Sequence, residues 1–202
     1  MIDIKLLEQL CLCNGISGDE GNVRNLIINE IKDCADDIKT DNLGNLIVLK
    51  KGKKSAKSKL MVSAHMDEVG LMVTDITSDG YLKFDEIGGI DRRVLPGKRV
   101  CVGRNGLNGV IGVKPIHLTN GDEKTAVPKM NDMYIDIGAE SREDALKYVN
   151  YGDSINFEGD FKINGKTVVT KALDERFGCY VLLNLRKSET EDDMYFTFVV
   201  QE

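Results

Sequence analysis

The sequence predicts an α/β protein interrupted by a β-rich insertion, and three observations carry that prediction. Helical spacing followed by apolar strands fills residues 1–68. From Val69 the texture changes to short β segments separated by glycine turns. Near Gly165 it reverts to strand, helix and strand. The flanks, 1–68 and 164–202, are therefore expected to form one layered α/β unit, with 69–163 as a barrel- or sandwich-like insert.

The elements follow in chain order. Ile4, Leu6, Leu7, Leu10 and Cys11 give a helix over 3–13, stopped by Asn14-Gly15. Val23, Leu26, Ile27, Ile28 and Ile31 form the apolar stripe of a second helix over 20–37. Asp41-Asn42-Leu43-Gly44 is a turn into a strand at 45–49. The lysine-rich run 50–59 suits a solvated hairpin loop better than an anion site in an acidic chain. Leu60-Met61-Val62-Ser63-Ala64 resembles a strand covered on both faces. The insert offers strands at 70–76, 81–84, 99–102 and 109–113, then a helix over 142–149 capped by Ser141. After the Ile163-Asn164-Gly165 turn come Thr167-Val168-Val169, a helix containing Val181, Leu182, Leu183 and Leu185, and a strand at 195–200. That strand is expected to close the sheet and leave an open edge.

The 202-residue chain carries a formal charge of −6. An acidic chain is poorly suited to nucleic acid or to anionic membranes. No run approaches the roughly 18 apolar residues of a membrane helix, and the N-terminus lacks the pattern of a signal peptide. A cytoplasmic location is the expectation. The five cysteines, Cys11, Cys13, Cys34, Cys101 and Cys179, form no CxxC pair and no disulfide framework.

Candidate chemistry gathers after apolar strands of the outer unit. His65 and Asp67 follow one such strand. Two residues apart on extended backbone they share a side, where a carboxylate orients a metal-bound imidazole. A strand-end histidine beside a solvated aspartate is the alternative. Asp174 lies between a strand and a helix, where it either bridges metals or caps the helix. Glu202 is a carboxylate at the end of a further strand.

Several motifs stand in order along the chain: Asp41-Asn42-Leu43-Gly44-Asn45, Ala64-His65-Met66-Asp67-Glu68-Val69-Gly70, and Gly109-Val110-Ile111-Gly112 with Lys114-Pro115-Ile116-His117-Leu118. Asp136-Ile137-Gly138-Ala139 with Ser141, Gly152-Asp153, and Ala172-Leu173-Asp174 with Arg176 complete the series. Taken in order, these motifs resemble metallopeptidase family forty-two, the tetrahedral aminopeptidases, which include glutamyl and leucyl aminopeptidases and some members labelled endoglucanase. The resemblance implies a three-layer zinc-peptidase-like α/β domain with an inserted β-barrel-like assembly domain. It implies a two-metal exopeptidase acting on peptides with zinc or cobalt. His65 would bind one ion, Asp67 would orient His65, and Asp174 would bridge both ions. Glu202, matching the first Glu of a Glu-Glu pair, would be the general base for the attacking water. His117 falls in the insert motif and is expected to be structural. The residue after the bridging aspartate is Glu175, where the family more often has Asp or Asn.

The family pattern continues beyond Glu202 with a second Glu, an Asp and a His, all metal ligands. The resemblance thus implies the N-terminal part of a longer aminopeptidase, with activity lost or nearly so in 202 residues and at most one weakly bound ion. Homo-oligomerisation is also implied, as a dimer through the insert and a dodecamer in full-length members. Two other functions compete: a non-catalytic oligomerisation module, and a polysaccharide hydrolase. The second needs paired carboxylates about a sugar bond and no metal, whereas here the carboxylates cluster with a histidine.

Overall fold

A computed structural model describes residues 3–54, 59–119, 121, 126–186 and 188–202. The chain divides into two compact units, 1–68 with 159–202, and 69–158. The return to the first unit thus falls at Gly159 rather than at residue 164.

The first unit opens with α1 (Ile4–Leu12) and α2 (Gly21–Ile31). Asp3 caps α1 by accepting from the Leu6 N–H at 3.1 Å. The second helix ends earlier than its apolar stripe suggests. Asp33, Asp36 and Asp37 would lie at its C-terminal end, where the helix dipole opposes negative charge. The chain instead forms a hairpin of β1 (Asp37–Thr40) and β2 (Leu46–Lys50). Its turn is tied by Asp41, whose Oδ1 accepts from the N–H groups of Leu43, Gly44 and Asn45 at 3.0, 2.9 and 2.9 Å. Next comes β3 (Leu60–His65).

The second unit contains β4 (Gly70–Ile76), β5 (Leu82–Ile87), β6 (Arg99–Val102), β7 (Leu107–Val113) and β8 (Met133–Asp136), then α3 (Arg142–Ala145) and β9 (Ser154–Phe157). Its six strands close into a barrel in the order β4-β5-β8-β7-β6-β9. Leu71, Val73, Leu82, Phe84, Val100, Ile111, Ile135 and Ile155 help fill its core. Closure leaves no free sheet edge among the described residues of this unit. Ser141 caps α3 by accepting from the Asp144 N–H at 3.2 Å. Regular helix stops at Ala145, and hydrogen-bonded turns carry the chain to Val149.

The chain re-enters the first unit through a separate hairpin, β10 (Lys162–Asn164) with β11 (Thr167–Val169). It then forms α4 (Leu173–Leu185) and β12 (Met194–Val199). The sheet order is β1-β2-β12-β3, with β12 antiparallel to β2 and parallel to β3. Two rows cross the sheet: Val48–Phe196–Val62 and Leu46–Phe198–Ala64. Both rows belong to the core formed with Leu6, Leu7, Leu10, Ile27, Cys179 and Leu183.

This topology corrects three expectations. The strand at 195–200 is interior, and Phe196 and Phe198 are fully buried. Among the described residues the edge strands of the sheet are β1 and β3, and on β3 Met61 is 63% exposed. The lysine-rich run is not a hairpin loop, because β12 separates β2 from β3. Its described part lies beside the acidic segment before β12, with ion pairs of Lys53 to Glu189 and of Lys54 to Glu191, the latter at 2.7 Å. Residues 55–58 lie outside the described residues.

All five cysteines are free. Burial pushes the Cys11 and Cys179 thiols up to about 11 and about 12, which keeps them protonated and inert. Among the described residues no helix is long and apolar enough to cross a membrane.

Phe198→Ala should cost about 3–5 kcal/mol, seen in urea unfolding as a lower midpoint at unchanged slope. Met61→Lys should leave stability within about 0.5 kcal/mol and reduce concentration-dependent association, measured by light scattering, because a lysine blocks edge pairing.

Candidate active site

His65 closes β3 and Val199 closes β12, and the two are partners in the parallel register. The Met66 N–H donates to the Val199 carbonyl at 2.8 Å, so the strands leave the sheet together. Parallel strands deliver their carboxyl ends to one rim. His65 and Glu202 therefore emerge side by side, with Nε2 of His65 3.4 Å from Oε2 of Glu202.

The segment that follows β12 is held by side chains from three other segments. Asn45 Oδ1 accepts from the Val200 N–H at 3.0 Å. Buried Glu20 accepts from the Gln201 N–H at 3.2 Å. The Asp67 carboxylate accepts from the Glu202 N–H at 3.2 Å. Gln201 is held at φ 55, in the left-handed region that a non-glycine residue seldom adopts.

Asp67 is 4% exposed and also accepts a hydrogen bond from the Ser17 hydroxyl. Its Oδ1 lies 3.6 Å from Nδ1 of His65. That is longer than a hydrogen bond, and Nδ1 is buried with no hydrogen-bond partner. The carboxylate nonetheless faces Nδ1, which suits an imidazole presenting Nε2 outward.

Asp174 comes from α4. The N-cap of that helix is Ala172, at φ 53 and with no side-chain cap, so Asp174 is not the capping residue. It occupies the first turn with its side chain exposed. A hydrogen bond with Glu175 holds the Asp174 carboxyl below the usual carboxylate range, and the nearby charge of His65 contributes. Burial, then the hydrogen bond to Asp174, push Glu175 up to about 8. Both causes favour the protonated form of Glu175 beside an ionised Asp174. Sequence reasoning did not include Glu175 in the site; its only signal was the departure from the family's usual Asp or Asn.

Helix α4 packs closely on β3. A Cβ built on Gly178 would stand 3.1 Å from Cβ of Ala64, and the Cys179 thiol donates to the His65 carbonyl at 3.2 Å. This approach brings the first turn of α4 to the end of β3. His65, Asp67 and Glu202 meet at one rim, and Asp174, in the first turn of α4, is near enough to His65 for their charges to interact. His117 belongs to the second unit, on an exposed turn.

The pair of His65 nitrogen and Asp174 oxygen suits zinc or cobalt, which accept mixed N/O ligands. Among the described residues, however, no three His, Cys, Asp or Glu side chains gather in a group that could hold a metal ion. His65 and Asp174 are thus two candidate donors, which fall short of a closed site.

A family model described as M42 glutamyl aminopeptidase matches residues 44–202. A relative from Acetivibrio thermocellus is 47% identical over 199 residues, spanning 98% of this chain and 58% of its own length. The TET1 peptidase of Pyrococcus horikoshii assembles into a tetrahedron or a large octahedral shell. Its structure is 44% identical with a TM-score of 0.88, covering 98% of this chain and 61% of that one. A Thermotoga maritima protein named endoglucanase is 43% identical with a TM-score of 0.86, covering 97% of this chain and 59% of that one. The chain thus spans about three fifths of the length of these proteins. With the family model matched over most of its length and its fold shared with a TET peptidase, the chain belongs to the M42 glutamyl aminopeptidase family.

Proposed function

We propose that this chain contributes part of the active site of a metal-dependent aminopeptidase that releases N-terminal residues from peptides. The observation that supports this reading most directly is the meeting of His65, Asp67 and Glu202 at one rim, with the charge of Asp174 near His65. Bound divalent ions would polarise the scissile carbonyl and lower the pKa of the attacking water. His65 would hold one ion through Nε2. Asp67 would fix the imidazole by accepting at Nδ1. Asp174, kept anionic by the Glu175 proton, would supply the carboxylate that bridges two ions. Glu202, with its side chain 73% exposed beside His65, would accept a proton from the attacking water.

Two donors do not fix two ions in an ordered geometry, because like charges about 3.5–4 Å apart need intervening carboxylates. The 202 residues alone are therefore expected to hold a single ion weakly and to show little aminopeptidase activity. The glycosidase reading is weaker, since the carboxylates lie against an imidazole rather than alone across an open cleft. Self-association through the barrel unit is part of the proposal, supported by the assemblies of the Pyrococcus horikoshii peptidase. It also bears on the oligomerisation-module alternative, which shares that dimer and predicts no metal site. Five free thiols suit a reducing compartment, so a cytoplasmic location is proposed as well.

Zinc titration by calorimetry should show at most one weak site. His65→Ala and Asp174→Ala should each weaken it by about tenfold or more. Binding that ignores both substitutions contradicts the site, and robust chelator-sensitive release of N-terminal residues by the 202-residue chain contradicts the two-donor account. Light scattering should give a discrete dimer that persists in the Met61→Lys variant. A sharp monomer over a wide concentration range would reject pairing through the barrel unit.

A further inference from the structure

Behind the rim lies a buried charged cluster that the proposed chemistry does not use. Glu68, Lys171 and Arg176 have side chains 6%, 13% and 0% exposed. Lys171 Nζ meets Glu68 Oε1 at 2.9 Å and donates to Asn14 Oδ1 at 3.1 Å. Arg176 Nη1 donates to the carbonyls of Leu10 and Cys13 at 2.7 and 2.8 Å. Its Nη2 donates to the Gly15 carbonyl at 3.2 Å and stands 3.7 Å from Glu68 Oε1.

Such a cluster is a poor source of stability. Burying charge is costly, and apolar replacements of buried ion pairs are often neutral or better. Its placement points to a different role. The three charged residues belong to, or tie down, the three segments that carry site residues: the loop with Ser17, the stretch after β3 with His65 and Asp67, and the start of α4 with Asp174. The Gly15 carbonyl also accepts from the Glu68 N–H at 2.9 Å, and the Ser17 N–H donates to the Glu68 carbonyl at 3.2 Å. The loop is thereby stitched to residues 67–68, which places the Ser17 hydroxyl on Asp67. The fit is tight: a Cβ on Gly15 would meet Val23 Cγ2 at 2.6 Å and Arg176 Nη2 at 3.4 Å.

We propose that the Glu68–Lys171–Arg176 cluster is a positioning device for the metal centre. Arg176 holds the loop so that Ser17 fixes Asp67, and Asp67 sets the ring of His65. Because Arg176 sits two residues after Asp174, the same guanidinium ties the bridging carboxylate to that loop. Ser17, Lys171 and Arg176 are positioning residues. The inference rests on the reading of His65 and Asp174 as metal ligands, but its first consequence, the state of the His65 ring, needs no metal.

The test uses the 202-residue chain and two measurements. The first is ring ¹⁵N NMR of the two histidines, at a pH where the His65 signal no longer titrates. The native chain should favour the tautomer with the proton on Nδ1, facing buried Asp67. Ser17→Ala and Arg176→Lys should both shift it toward a mixture, since lysine cannot reproduce the planar fork that reaches three carbonyls. The second is zinc affinity, which each variant should weaken by about tenfold. The double variant should lose no more than Arg176→Lys alone, because Ser17 reaches Asp67 only from the loop that Arg176 holds. Lys171→Met serves as a further variant should Arg176→Lys fail to fold, and it should move the tautomer in the same direction. Folded variants with an unchanged tautomer, or losses that simply multiply, overturn the positioning role. If the tautomer shifts while zinc binding ignores His65→Ala, the metal reading fails and the positioning of Asp67 stands.

Discussion

The pairing of β12 with β3 is the constraint on which the rest of the site depends. Phe196 and Phe198 anchor β12 between β2 and β3, and their burial fixes its register. A slip of one residue would turn both phenylalanines out of the core. With register fixed, His65 and Val199 must end together, and Glu202 must emerge beside His65. The same rows pack against α1 and α4, so the start of α4 reaches that end of the sheet as well. Burial of two aromatic rings thus sets the distance between a proposed base and a proposed ligand far apart in sequence.

Local geometry refines what the sheet sets coarsely. Among the described residues, Ala172 and Gln201 are the two non-glycine positions with positive φ, the first lying two residues before Asp174 and the second directly before Glu202. Left-handed backbone at such positions persists only where surroundings over-determine it. At Gln201 these surroundings are explicit: Asn45, Glu20 and Asp67 accept the backbone N–H groups of Val200, Gln201 and Glu202 in turn. Asp67 therefore holds the base segment by its main chain while facing the imidazole.

Much of this was legible in the sequence. Helical spacing located α1, and turn signals with β-branched runs located β4 to β7, whereas β8 and β9 of the barrel went unread. The acidic and imidazole groups after apolar strands pointed to the rim. What escaped has physical reasons. Strand β1 has only Ile38 facing inward, so Asp37-Ile38-Lys39-Thr40 carries no clear period and reads as the tail of α2. The order of strands is a long-range property: an apolar run at 195–200 suits an edge as well as a centre, and only the pairing of β12 on both sides decides between them. Leu60 and Met61 show the converse, an apolar run that lies exposed on the edge strand. Glu175 and Arg176 escaped because their roles depend on burial and on carbonyls more than 160 positions away in the chain.

The central claim is that the ends of β3 and β12 and the start of α4 form one metal-binding rim. Paramagnetic broadening by cobalt(II) in the 202-residue chain tests it most directly, because the sequence has just two histidines. The account predicts selective broadening of the His65 ring signals and of the amides of Asp67, Asp174 and Glu202, with His117 unaffected. Broadening centred on His117, or His65 broadened without Asp174, would contradict it.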